Sequence, residues 1–175
     1  MRFETRAIHA GQDPDPTTGA VVVPIYATST YAQDAPGKHA GYEYSRTDNP
    51  TRTALQDALA SLEGVAEGSG GGSVATSSGM AAAALMGYLL GAGDHVLLPN
   101  DAYGGTFRFF ARVLGEQGFE WSVADPTDLD AVRAAVRPNT RLMWLETPTN
   151  PMLRVADMAA IGEVAKDAGA VFCVD

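Results

Sequence analysis

Beyond residue 49 the chain alternates between two hydrophobic periodicities, and the alternation predicts its elements. Asn49 and Pro50 suit the cap and first position of a helix; Leu55, Ala58, Leu59 and Leu62 recur on one face of it, and Gly64 suits its stop. EGSGGGS from Glu67 to Ser73 is a flexible loop, and 73–76 is a short strand candidate. A helix rich in alanine, leucine and methionine then starts abruptly at Gly79. The apolar runs HVLLP (95–99), EWSVA (120–124), RLMWLE (141–146) and AVFCVD (170–175) read as strands. Between them lie helical patterns: TFRFFARVLGEQG (106–118), LDAVRAAV behind the cap Asp128, and MAAIGEVAKDAG behind the cap Asp157.

Strands interleaved with helices predict an α/β domain with a mostly parallel sheet and helices on both faces. Ligands of such sheets gather outside the carboxyl ends of the strands. The segments expected there are SSGM, NDAYGG, TPTNP and Asp175. The first 48 residues follow neither periodicity and show no clear helix. GQDPDPTTGA is rich in turn formers, and Pro24 keeps VVVPIYATSTY out of any central strand. Val21, Val22, Val23, Ile25, Tyr26 and Tyr31 are too apolar for a solvated tail, so 1–48 is expected to be an arm lying on another surface, and 49–175 the α/β portion.

Composition narrows the classes. The 175 residues are 46% hydrophobic and 19% charged with a formal net charge of −9, which argues against nucleic acid or an anionic membrane as partner. There is neither an apolar signal core nor a run of membrane-spanning length, so a cytoplasmic protein is expected. The single cysteine, Cys173, excludes an internal disulfide framework and, inside AVFCV, reads as an inert buried thiol rather than a nucleophile. His9, His39 and His95 lack metal-ligand spacing, and His95, opening a strand, reads as structural. No GxGxxG follows a strand and no GxxxxGK[ST] occurs. The chain stops on a carboxylate directly after a strand that reads as buried, so a continuation is expected.

The start of the 79–90 helix admits two readings. Ser77 or Ser78 caps it and Gly79 eases the turn; or the small residues let an anion reach the unpaired amides of Gly79 and Met80. The Met80 side chain itself reads as core.

Taken together and in this order, YEYSRTDNPTRTALQDALASLEG, ATSSGMAAA, DAYGGT, LETPTNP and VFCVD resemble the amino-terminal part of the Cys/Met-metabolism family, from AIHAGQ onward. These enzymes use pyridoxal 5′-phosphate (PLP) and include cystathionine γ-synthase, cystathionine γ-lyase and methionine γ-lyase. The resemblance implies the large domain of the type I aminotransferase-like fold, and elimination or replacement at the γ carbon of sulfur amino acids. It implies that Ser78, Gly79 and Met80 hold the PLP phosphate, that Tyr103 stacks on the ring and handles protons, and that Asp175 pairs with the ring nitrogen. Tyr44, Ser45 and Arg46 would reach the phosphate of a neighbouring subunit, in a dimer at least and typically a tetramer. Asn150, Arg108 and Glu146 would lie near the substrate. The family's Schiff-base lysine matches neither Lys38 nor Lys166 and is expected after Asp175. GYEYSR with APGKHAG leans toward the cystathionine γ-lyase or γ-synthase type over methionine γ-lyase or an O-acetylhomoserine sulfhydrylase. The rivals of other classes are a nucleotide-binding α/β module without PLP and a non-catalytic paralogue.

Overall fold

The computed structural model describes residues 1–65 and 68–175, so Glu67, the first residue of the glycine-rich loop, lies outside the described residues. The chain divides into two compact units, Met1–Thr76 and Ser77–Asp175.

The first unit corrects the expectation of a wholly irregular beginning. Helix α1, Phe3–His9, carries Glu4 in its first turn and Arg6 and His9 in its last, the arrangement that suits the helix dipole. Strands β1 (Gln33–Ala35) and β2 (Lys38–His39) form a small antiparallel hairpin. Helix α2 runs from Pro50 to Leu62, with the Asn49 side chain accepting the Thr51 amide as anticipated. The Arg6 guanidinium binds the Ser61 carbonyl of α2. At Gly11 (φ +69°) the chain passes α2 so closely that a Cβ would sit 2.2 Å from the Ala54 carbonyl oxygen. No hydrophobic periodicity encodes this contact, because it is made by backbone and by one long cation. The apolar face of α2 stays partly in solvent, with Leu55 51% and Leu59 43% exposed. Residues 73–76 are not a strand: the Ser73 hydroxyl donates to the Gln56 carbonyl and the Ala75 amide to the Gln56 side chain, so α2 supplies partners that a sheet would otherwise provide.

The second unit is an α/β layer. Helix α3 (Gly79–Gly87) precedes β3 (His95–Pro99), α4 (Gly104–Arg108), β4 (Glu120–Ala124), α5 (Leu129–Ala135), β5 (Thr140–Leu145), α6 (Met158–Asp167) and β6 (Val171–Val174). The four strands are parallel in the order β4-β3-β5-β6. Alternate residues serve opposite faces, as a strand's period of two requires. Leu97, Met143 and Leu145 pack with Val132 of α5 and Ile161, Val164 and Ala165 of α6. Val96, Leu98, Leu142 and Trp144 pack with Ala83 of α3 and with Phe110 and Leu114. Burying a side chain such as Phe110, 1% exposed, contributes roughly 1.5–3 kcal/mol.

The single helix expected over 106–118 is composite. After α4 comes a π-helical turn, Phe109–Leu114, then a 3₁₀ turn, Gly115–Gln117, closed by Gly118 in the left-handed region. Thr106, Phe110 and Leu114 are all buried. Four α-helical residues overshoot a full revolution by about 40°. The wider turn holds more residues per revolution and takes that excess back, so Leu114 stays in line with the sheet.

Candidate functional site

Strand order locates a crevice. From β3 the chain moves through α4 to β4 on one side; from β5 it moves through α6 to β6 on the other, with α4 and α6 on opposite faces. The loops leaving the carboxyl ends of β3 and β5 therefore diverge, which is the topological switch point of a parallel sheet. A cleft of about 380 Å³ lies in the second unit, lined by Gly79, Met80, Ala83, Tyr103, Thr106, Glu146, Pro148, Asn150 and Asp175. That volume is within the range of small-molecule sites.

Each wall has a local cause. Ser78 caps α3 by accepting the Ala81 amide, so the capping alternative is realised. That cap takes the amide of Ala81; the amides of Gly79 and Met80, the first two of the helix, have no intrahelical acceptor. A Cβ built at Gly79 meets nothing within 4 Å, so the approach to those amides is open. Met80 has two roles: its side chain packs against the core under α3, and it lines the cleft.

Tyr103 occupies the position before α4, without a side-chain cap, and is 47% exposed. Its backbone N–H donates to Glu146 Oε2 at 2.7 Å, and Trp144 Nε1–H donates to Glu146 Oε1 at 3.2 Å. Glu146, 4% exposed at the end of β5, thus fixes the root of Tyr103 from across the crevice. Burial pushes the Glu146 pKa up, the two donated hydrogen bonds oppose this, and the charges of Asp175 and Asp101 add to the rise. The Tyr103 ring lies where a side chain at Gly105 would be: a Cβ there would sit 2.6 Å from Tyr103 Cε1 and 2.9 Å from Met80 Sδ. Any larger residue here would have to displace the Tyr103 ring and the Met80 sulfur, so residue 105 shapes the cleft without being among its lining residues.

Asp175 continues β6. Its amide donates to the Leu145 carbonyl at 2.8 Å and its own carbonyl accepts the Thr147 amide at 3.3 Å, which fixes the backbone that presents the carboxylate. Cys173 is half-buried, and burial, then the Asp175 charge, raises its thiol pKa, as an inert thiol requires.

Among the sequence-derived candidates, the cleft brings together Gly79, Met80, Tyr103, Glu146, Asn150 and Asp175. Ser78 stands beside it as the helix cap. Arg108 is exposed at the end of α4 and is not among the lining residues. Tyr44, Ser45 and Arg46 belong to the first unit. There Arg46 Nη2 donates to the Tyr44 hydroxyl at 2.8 Å, with the guanidinium 5.1 Å from that ring's centroid. The Ser45 hydroxyl is taken up locally: it donates to the Thr28 carbonyl and accepts from Asn49 Nδ2 at 3.1 Å. Thr106, Ala83, Pro148 and Gly105 were not singled out from the sequence. The second glycine of DAYGGT was the available signal for residue 105, and Trp144, two residues before Glu146 on one strand face, for the donor that holds it. No metal-binding group of His, Cys, Asp and Glu occurs among the described residues.

The residues present suit PLP on this chain's own geometry. Open amides at a helix start accept a phosphate, an exposed aromatic ring offers a stacking face, and a carboxylate is anchored at another wall.

Comparison with known proteins agrees. The family described as "Cys/Met metabolism PLP-dependent enzyme" matches residues 4–175. A protein of Herpetosiphon aurantiacus named "Probable cystathionine gamma-synthase" is 56% identical over 99% of this chain and 53% of its own. The cystathionine gamma-lyase of Bacillus subtilis is 47% identical over 100% of this chain and 45% of its own. The crystal structure of metB from Corynebacterium glutamicum superposes with a TM-score of 0.93 at 44% identity, covering 100% of this chain and 45% of that one. The chain spans roughly half the length of these relatives.

Proposed function

The chain belongs to the Cys/Met-metabolism PLP-dependent enzyme family, and from that premise we propose that it supplies the cofactor-binding part of an enzyme carrying out γ-elimination or γ-replacement on sulfur amino acids, of the cystathionine γ-lyase or γ-synthase type. The observation that carries this is the switch-point cleft, with the α3 amides, the Tyr103 ring and the Asp175 carboxylate on its walls.

The amides of Gly79 and Met80, with the Ser78 cap, hold the phosphate. Tyr103 lies on the ring face, and its hydroxyl moves a proton at the departing group. Asp175 keeps a proton on the ring nitrogen, because an adjacent carboxylate raises the pKa of a pyridinium. When bound, PLP supplies the electron sink for the pair left at the substrate's α carbon. Glu146 holds Tyr103 through its backbone, and Asn150 orients ring or substrate from the TPTNP loop. Arg108 is a candidate for the substrate's outer end.

Tyr44, Ser45 and Arg46 serve the phosphate of a neighbouring subunit. Arginine suits this because its planar fork binds phosphate oxygens bidentately. The first unit supports assembly by what it leaves uncovered: Val21 is 75%, Val22 68% and Ile25 86% exposed, beside the half-exposed Leu55 and Leu59 of α2. A homotetramer built from dimers is the expected state, with the arm of residues 1–48 at its interfaces, and the cytoplasm the expected compartment. Among the described residues no helix is long and apolar enough to cross a membrane.

The test is PLP uptake by the full-length protein, followed by absorbance and by product analysis with cystathionine, and with an activated homoserine plus cysteine. Release of a keto acid and cysteine from cystathionine identifies the lyase; formation of cystathionine identifies the synthase. A protein that takes up no PLP overturns the proposal.

A further inference from the structure

Beside the cleft, one cation ties three loops together. Arg154 follows the TPTNP loop, yet its Nη1 donates to Asn100 Oδ1 at 3.1 Å, after β3, and to Asp125 Oδ2 at 3.2 Å, after β4. Its Nε lies 3.7 Å from Asp101 Oδ2. The same Asp101 oxygen accepts the hydroxyl of the fully buried Thr149 at 2.6 Å. Thr149 closes the ring: its Oγ1 accepts the Arg154 amide at 3.0 Å and its own amide donates to the Arg154 carbonyl at 3.0 Å. The loops after β3, β4 and β5 are joined through one guanidinium and one hydroxyl.

Backbone conformation records how firmly the segment is held. Leu153, between the tied residues 149 and 154, has φ +54° and is 73% exposed. A branched side chain in the left-handed region is unfavourable and persists only where its surroundings impose it. The Leu153 side chain packs little to offset that, so the ties at Thr149 and Arg154 impose it.

The two residues that matter to the cleft sit on these loops. Tyr103 is two residues from Asp101, and Asn150 is next to Thr149. We infer that Arg154, acting through Asp101 and Thr149, is a positioning residue that sets Tyr103 and Asn150 relative to each other across the crevice, an inference resting on the PLP reading of the cleft. Its Nη1 serves Asn100 and Asp125 while its Nε faces Asp101, a spread of donors in a fixed plane that an ammonium, with all three donors on one nitrogen, matches less well. Asp101 depends on it in turn: its other oxygen, Oδ1, is buried without a hydrogen-bond partner among the described residues. Arg154 thus provides the charge balance for a carboxylate that is only partly hydrogen-bonded.

The test compares wild type, Arg154→Met, Arg154→Lys and, as control, Arg133→Met, whose ion pair with Asp130 lies exposed on α5. In the full-length protein loaded with PLP, Arg154→Met is expected to lower kcat by about 10- to 100-fold with a smaller change in KM, as misplacement of reacting groups does. The circular dichroism of the bound chromophore, which reads the asymmetry of its surroundings, should weaken in parallel. Arg154→Lys should recover part of both, and the control should match wild type. If Arg154→Met does not fold, Asn100→Ala, which removes one acceptor, should shift the dichroism in the same direction. A folded variant with wild-type dichroism and kcat overturns the inference alone. A wild type that takes up no PLP overturns it together with the proposed function.

Discussion

The amino and carboxyl ends of the β3–β5 sheet bury polar groups in opposite ways. At the amino ends, His95 is fully buried, with Nδ1 2.8 Å from Thr140 Oγ1 and Nε2 2.8 Å from Ser122 Oγ. Either neutral tautomer satisfies both ring nitrogens, since each hydroxyl can donate or accept. Thr140 Oγ1 also accepts the Arg137 amide at 2.8 Å, and Arg137 pairs with Glu120 at 2.9 Å. The polar groups there serve one another and lock β4, β3 and β5 in register. At the carboxyl ends, Glu146 is satisfied by the Tyr103 amide and the Trp144 indole, while the Asp175 carboxylate and the Tyr103 ring face the cleft. Hydrogen-bonding capacity closed within the protein contributes to stability; capacity left open is available to a ligand. The same four strands do both because only their carboxyl-end loops diverge.

Substitutions at the two ends should therefore separate activity from stability. The largest effect is expected for Asp175→Ala: a loss of about 100-fold or more in kcat/KM of the PLP-loaded enzyme, with a thermal midpoint close to wild type. Retained activity would remove Asp175 from the proposed mechanism.

His95→Leu should do the reverse. It strips partners from Thr140 and Ser122 and is expected to cost about 2 kcal/mol, leaving turnover per folded molecule unchanged. Acid sharpens the contrast. Burial first, and the Arg137 charge second, lower the His95 pKa to about 4, against the opposing pull of Glu120. The unfolded chain binds this proton near pH 6.5 and the folded one only near 4. The stability of the neutral ring is thus fully present above about pH 6.5 and lost as pH falls toward 4, on the order of 3 kcal/mol. Asp15, Glu120 and Asp125, also held below their ordinary values, add to acid sensitivity. The difference between wild-type and His95→Leu denaturation midpoints across pH 7 to 4 isolates the imidazole; parallel curves would refute its role.

The smallest of the three is Gly105→Ala. The new methyl displaces the Tyr103 ring and the Met80 sulfur. We expect kcat to fall about 10-fold, with stability changed by about 1 kcal/mol. A crystal structure of the variant with Tyr103 unmoved would contradict it.

Local chemistry was legible in the sequence wherever it is local in the structure. Asn49, Ser78, Asp128 and Asp157 cap helices as their positions suggested. HVLLP and its three companion runs form the sheet. The loops expected at its carboxyl rim line one cleft, which brought Gly79, Tyr103, Glu146, Asn150 and Asp175 together. What escaped depends on distance along the chain. Arg154 meets partners at 100 and 125, and no periodicity signals an ion pair across that span. The second glycine of DAYGGT marked residue 105, but its reason, the space it leaves to the Tyr103 ring, emerges only once the ring is placed. Helix α1 is short, and its interactions with α2 run through Arg6 and the backbone beside Gly11, so it carries no apolar stripe to read.

The wide turn at Phe109–Leu114 couples length to burial. It holds one residue more than regular winding would need. Deleting a single position there would let the segment rewind as plain α-helix with the residues after it still facing the sheet, because the wide turn already absorbs the extra residue. That joint should tolerate the loss of one amino acid better than the regular turns beside it, where the same deletion would rotate everything that follows by roughly 100°.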